Sequence, residues 1–299
     1  MEFSAQQVQT LSFFDRVSTE WRLKAEGKVP QVNVIAQRNS CAHHIQATIP
    51  GIVSMLDLGC GTGELVLEMA EKGVRATGID FAPEMIRACE QKRDAKNAAG
   101  AHFHCCSVFD YNTASESEDL ISALGLIEYI SPVELMKLLH ICHRALRPGG
   151  ALVLGSRNRL FNLFSLNMYT EMELALGTLD KLMREATSLA TSETLDSFFA
   201  NAQVHVPLPQ PAMHARTGIE VNLRYQYTPF ELAAMVRETQ LIPMALFPIH
   251  YHAMPQAAAA KREETHVAFS NFMFETAGQD HRLVPFSSSF VLAAQKKRD

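Results

Sequence analysis

No run of roughly 18 apolar residues occurs anywhere in the 299-residue chain, so no membrane-spanning helix is expected. The opening residues, Met1-Glu2-Phe3-Ser4-Ala5-Gln6, lack the basic stretch leading into an apolar segment that marks a secretory signal. A soluble, cytoplasmic protein is the expectation. Positive charge is also scarce. Lys and Arg number 27 against 32 Asp and Glu, a net charge of −5, and no basic stretch exceeds Lys296-Lys297-Arg298. A protein that grips nucleic acid must neutralise phosphates, and without a visible surplus of cations DNA and RNA are disfavoured as partners.

Cysteine pairing is missing too. Cys41, Cys60, Cys89, Cys105, Cys106 and Cys142 form no Cys-x-x-Cys pair, and the adjacent Cys105 and Cys106 fall on opposite faces of a strand. Reduced, mostly buried thiols are expected. The closely spaced Cys/His pairs of a zinc site are absent, and no metal is expected. There is no internal repeat and no low-complexity tract beyond Ala257 to Ala260. What the chain does have is apolar material, 47% of its residues, enough for one large core.

That material is arranged as short apolar runs alternating with helical patterns between residues 50 and 156. Ile52 to Leu58, Val74 to Asp80, Ala101 to Val108, Leu120 to Leu124 and Ala151 to Ser156 read as strands. Glu64 to Lys72 reads as a helix closed by Gly73, and Pro83 opens another where a missing N–H costs least. Ser131-Pro132-Val133-Glu134 is a capping box that starts a helix to about Leu146. Such alternation builds a mostly parallel sheet with helices on both faces, an α/β architecture. After Ser156 the rhythm breaks. Met172, Leu176, Leu179, Leu182, Met183 and Ala186 recur at helical spacing, then Pro207-Leu208-Pro209-Gln210-Pro211 forces extended, irregular chain. The pattern resumes at the capping box Thr228-Pro229-Phe230-Glu231, with a strand from Met244 to Tyr251. Phe286 to Ala294 is the candidate antiparallel strand. A helix carrying Phe13, Phe14, Val17 and Trp21 is expected before the first strand.

The strongest chemical signal is Asp57-Leu58-Gly59-Cys60-Gly61-Thr62-Gly63, where the first strand meets its helix. Glycines let backbone turn tightly and approach a ligand, and the helix start behind them offers free N–H groups. Dinucleotide binders favour G-x-G-x-x-G, whose third glycine makes room for a pyrophosphate. Here the spacing is G-x-G-x-G, with Glu64 following and Asp57 preceding. An acid at that point suits the ammonium of an amino-acid cofactor. The second strand ends in Gly78-Ile79-Asp80, where a carboxylate can accept both hydroxyls of a ribose, and Phe81 can lie against an adenine.

At these residues the chain resembles the class I S-adenosylmethionine-dependent methyltransferases. The glycine motif at Asp57 to Gly63, the ribose acid Asp80 and the turn Arg147-Pro148-Gly149-Gly150 carry the resemblance, closely over about 50 to 156 and loosely in the final strands. It implies a Rossmann-like seven-stranded sheet with its last strand inserted antiparallel, and S-adenosyl-L-methionine bound over the C-terminal strand edges. Asp57, Gly59, Gly61, Gly63, Asp80, Phe81, Ser107, Val108 and Leu124 are the implied cofactor residues. Ser107 stands where many relatives carry an Asp, and its hydroxyl can still accept a hydrogen bond. Ala123-Leu124-Gly125-Leu126-Ile127-Glu128-Tyr129 looks like the segment at the methionine end of the cofactor in ubiquinone-pathway and related small-molecule enzymes. Some of those hold a divalent metal there. This chain offers Glu128 alone, which does not make a magnesium or calcium site.

The expected architecture is an N-terminal helical cap at 1–50, a cofactor-binding core at 51–156, a helical lid or acceptor insertion at 157–224, and the rest of the same sheet at 225–299. The expected reaction is methyl transfer to a small molecule, oxygen ahead of nitrogen, in glycan or natural-product biosynthesis. A small-amine N-methyltransferase and a non-catalytic cofactor-binding regulator are the alternatives. His250 and His252 are candidate catalytic bases, since imidazole titrates near neutrality. Phe14, Arg157, Phe161 and Tyr169 are candidate acceptor contacts, with Arg157 and Arg159 suited to clamp an anion. The apolar face with Phe161, Phe164 and Met168 suits a lid over the acceptor first, and otherwise a homodimer surface or a patch for lipid-linked substrates.

Overall fold

Parallel strands need crossover connections, and the helices between the apolar runs supply them. The computed structural model describes residues 9–10, 12–13, 23, 27–28, 31–200, 208–213 and 220–298. In chain order these form α1 (Val34–Thr48), β1 (Ser54–Leu58), α2 (Glu64–Glu71), β2 (Arg75–Asp80), α3 (Pro83–Lys96), β3 (Ala101–Cys105), β4 (Glu118–Ala123), α4 (Pro132–Ala145) and β5 (Leu146–Arg157). There follow α5 (Asn162–Ser165), α6 (Met168–Ala175), α7 (Leu179–Thr191), α8 (Leu195–Ala200), β6 (Leu208–Met213) and β7 (Glu220–Gln226). The described chain closes with α9 (Pro229–Glu238), β8 (Leu241–Tyr251), α10 (Gln256–Ala259), α11 (Glu263–Ala277) and β9 (Ser287–Lys296).

Seven strands make one sheet in the order β3-β2-β1-β4-β5-β9-β8. β1 to β5 run parallel, and β9 lies antiparallel between β5 and β8. The sequence-derived fold is the observed one. Alternate residues feed two core layers, as strand geometry requires. Leu56, Leu58, Phe290 and Leu292 face one side, with the apolar faces of α4 and α9; Met55, Val291 and Ala293 face the other, with α1 and α2. Both capping boxes form: the Glu134 N–H donates to Ser131 Oγ at 3.2 Å and the Glu231 N–H to Thr228 Oγ1 at 3.2 Å. No described helix is long and apolar enough to cross a membrane.

Two expectations change. The proline-containing segment after residue 207 is not irregular: it pairs as β6 with β7 in a separate antiparallel hairpin. The helices after β5 are not a detached cover either. Leu182, Ala186 and Leu189 of α7 and Phe198 and Phe199 of α8 join the same core layer as Leu56. Of the expected apolar face, Met183 is 50% exposed and Leu176 57%. Arg159 fastens this layer, with its guanidinium 2.9 Å from both Glu173 of α6 and Glu231 of α9, all three side chains buried. It is an internal ion pair and clamps no acceptor. Phe14, Val17 and Trp21 lie outside the described residues.

Candidate active site

A cavity opens over the C-terminal ends of β1, β2 and β4, where open α/β sheets bind ligands. Its floor is the glycine loop after β1. The N–H groups of Gly59 and Cys60 both donate to the Ile79 carbonyl, at 2.8 and 2.9 Å, which binds this loop to the end of β2. Asp80 completes the junction by accepting from the Gly61 N–H at 3.0 Å and the Ala82 N–H at 2.9 Å. Gly61 has φ +54°, and a Cβ there would meet no atom within 4 Å, so the loop presents bare backbone to open space.

Of the residues expected to hold the cofactor, Asp57, Gly59, Gly61, Asp80, Phe81, Ser107, Val108 and Leu124 line this cavity. Gly63 does not. A Cβ at Gly63 would sit 2.8 Å from Cys89 Sγ and 2.9 Å from Phe103, so this glycine lets α2 pack against α3 and β3. Ser107 Oγ already accepts from the Phe109 N–H at 3.3 Å, one of its two lone pairs.

The cavity has two electrostatic ends. At one, Asp57, Glu64 and Asp80 gather three carboxylates. Burial pushes Asp57 up to about 7 against the hydrogen bond from Ser122 Oγ at 2.6 Å, and the charges of Asp80 and Glu64 add to the rise. At the other end the lining includes Arg38, Gly125, Glu128 and Tyr129. Arg157 Nε donates to Glu128 Oε2 at 2.5 Å, and Arg224 Nη1 stands 4.0 Å from the same oxygen. The Arg224 guanidinium also covers the Tyr129 ring, 5.0 Å from its centroid. Burial alone would raise Glu128, but Arg157, Arg224 and Arg38 outweigh it and hold the carboxyl below its ordinary range. Tyr129 is pushed up to about 12 by burial and by Glu128.

Arg38 is 9% exposed; Nη2 donates to Ser289 Oγ at 3.5 Å, while Nε is buried without a hydrogen-bond partner. Burial, reinforced by Arg157, lowers its pKa in spite of Glu128. Three guanidiniums therefore converge on one carboxylate. Sequence reasoning missed Arg38, Thr10, Ile35 and Asn39, which line the cavity from α1 and the segment before it. They belong to no motif, and only the expectation of a cap before the first strand pointed at them.

Other candidates fall elsewhere. His250, His252, Arg157, Phe161 and Tyr169 are not in the cavity lining. Arg157 acts behind it, through Glu128. Phe161 packs against the His252 ring, with centroids 4.6 Å apart, and Phe164 against Phe286 at 5.1 Å. The two histidines sit at the far end of β8 and turn toward His266 of α11. The reason is topological: β8 is the outermost strand, three places from β4.

A methyltransferase-domain family model matches residues 55–150. The mitochondrial ubiquinone biosynthesis O-methyltransferase of Mus musculus is 26% identical over 153 residues, which are 50% of this chain and 38% of that one. The ubiquinone biosynthesis O-methyltransferase of Xanthomonas campestris pv. campestris is 29% identical over 122 residues, 40% of this chain and 49% of that one. The match thus spans about half or less of these relatives' length. Among solved structures, the magnesium protoporphyrin IX methyltransferase of Synechocystis PCC 6803 with bound SAH superposes with a TM-score of 0.57 at 14% identity, over 98% of this chain and all of that one, a likeness of fold.

Proposed function

With residues 55–150 forming a class I S-adenosylmethionine-dependent methyltransferase domain, we propose that the chain transfers a methyl group from that cofactor to an oxygen of a small, anionic acceptor. The residues present fit the cofactor. Gly61 presents bare backbone to open space where a ligand can approach closely, and the Asp80 carboxylate lines the same cavity from the end of β2. Asp57 supplies a carboxylate for an ammonium, and Phe81, Met85, Val108 and Leu124 are apolar neighbours for a nucleoside. Bound there, S-adenosylmethionine supplies an electrophilic methyl on its sulfonium.

What remains for the protein is to hold a nucleophile in line, which supplies several kcal/mol by orientation alone. The acceptor class follows from which bases are lacking. Glu128 is locked to Arg157 and held acidic, and the Tyr129 phenol stays protonated. Among the described residues, no histidine lines the cavity. An acceptor oxygen that is already an anion at neutral pH, a carboxylate or an acidic phenol, needs no general base. Arg38, desolvated and with Nε unpartnered, is the group to orient it, and this is the observation that carries the reading. The O-methyltransferase names of the relatives support oxygen over nitrogen.

The test is methyl transfer from labelled cofactor by the full chain to a panel of small carboxylates, phenols and amines. Turnover is expected with acids. Arg38→Met should raise the acceptor KM about 10- to 100-fold, the scale of a lost hydrogen bond to a charged group, with cofactor affinity unchanged. Turnover of amines alone would overturn the acceptor class, and failure to bind the cofactor would overturn the activity.

A further inference from the structure

We propose that His250, His252 and His266 form a site for a zinc-class transition-metal ion, which fastens α11 to the end of β8. Their nitrogens, one per ring, all lie within 4.8 Å of one another. Ring centroids are 4.4 Å apart for His250 and His252, 4.5 Å for His252 and His266, and 5.1 Å for His250 and His266. Nε2 of His250 and Nε2 of His266 face each other at 3.0 Å. Imidazole ligands at the usual Zn–N distance of about 2.0–2.1 Å stand somewhat farther apart than that around a tetrahedral ion. Small ring rotations therefore separate this pair and bring in the third.

Three further observations point to a ligand. First, Nδ1 and Nε2 of His252 and Nδ1 of His266 are buried without a hydrogen-bond partner. Buried polar nitrogens are costly to leave unmatched, and a neutral imidazole has a lone pair to give. Second, Ser288 Oγ lies 3.0 Å from His250 Nδ1. A proton held on Nδ1 by that oxygen leaves Nε2 as the donor atom turned into the cluster, the usual outer-sphere arrangement for a metal-binding histidine. Third, His250 has φ +60°, a left-handed conformation that a non-glycine residue adopts only when its surroundings enforce it. The Gln37 side chain accepts from its backbone N–H at 2.9 Å, which secures the kink.

Charge agrees with the geometry. Burial, with His266 nearby, pulls His252 down to about 4, and burial lowers His266 as well. Glu263, one turn before His266 on α11, is the carboxylate that acts on the cluster. Three imidazoles select zinc, cobalt or nickel over the oxygen-loving magnesium and calcium, and leave a fourth position for an exchangeable oxygen donor. Only His250 and His252 are neighbours in sequence; the third ligand, His266, comes from α11 and has no local signature that joins it to them. The inference does not depend on the methyl-transfer reading.

The experiment uses the full chain without an affinity tag, stripped with a chelator and titrated with Co²⁺ and Zn²⁺. One equivalent of Co²⁺ should bind with the intense visible spectrum of a four-coordinate site, zinc should displace it, and the melting temperature should rise. His266→Ala should abolish stoichiometric binding. Ser288→Ala, which keeps all three ligands, should weaken it about 10- to 100-fold. Binding well below one equivalent, or equal binding by wild type and both variants, would overturn the site. Should His266→Ala not fold, the Ser288→Ala titration alone decides between the two.

Discussion

Asp57 titrates where few carboxylates do, and the cause is its burial beside Asp80 and Glu64. Its folded value of about 7 stands above the ordinary 3.8, so the stability it contributes is complete below pH 4 and is lost as pH rises to 7. An ammonium docking against it reverses the shift. Cofactor binding at pH 6 should therefore release close to one proton, and affinity should climb from pH 5 to 7 and then level. Calorimetry in buffers of different ionisation enthalpy counts the proton; Asp57→Asn should abolish both effects. Asp80 is a separate case, since its carboxylate organises the loop as well as facing the cavity. Asp80→Ala should weaken S-adenosylmethionine binding by about 1.5–3 kcal/mol by calorimetry, unchanged affinity in a folded variant being the contrary result. Both acids were legible in the sequence because glycine spacing and strand ends mark them. Arg38 was not, because a lone arginine on a helix has no local signature and acquires its role only when α1 is laid over the sheet.

Between elements, the Arg159 ion pairs join α6 and α9 to the chain leaving β5. Glu231 serves twice there, as the capping-box partner of Thr228 and as a counter-ion to Arg159. Arg159→Ala would leave buried Glu173 without its counter-ion and Glu231 with Lys181 alone, 3.6 Å away, and should cost about 3–5 kcal/mol in denaturant unfolding. A loss under 1 kcal/mol would mean that water reaches them. Strands and caps were predictable here because their signals are local: alternation, Pro at the first helical turn, Ser or Thr three residues before Glu. The fate of the helices after β5 was not, because helical spacing of Leu182 and Ala186 says that a face is buried without saying against what.

For the whole molecule, that packing favours a fixed layer over a closing cover. Amides of 179–191 should exchange as slowly as those of β4 and β5, near the global unfolding limit, with or without cofactor. Fast exchange that slows only on binding would restore the lid. The antiparallel insertion of the last strand was readable from the family resemblance, while the full order came from the structure, and its most consequential part concerns time. Synthesis delivers β8 before β9, and β9 is the strand that joins β8 to β5. While residues 287–296 are still inside the ribosome, β1 to β5 can already align, but β8 has no strand to pair with and β5 keeps an open edge. The nascent protein therefore waits with its apolar edges unguarded until β9 emerges, and chaperones have their longest opportunity to act in that interval.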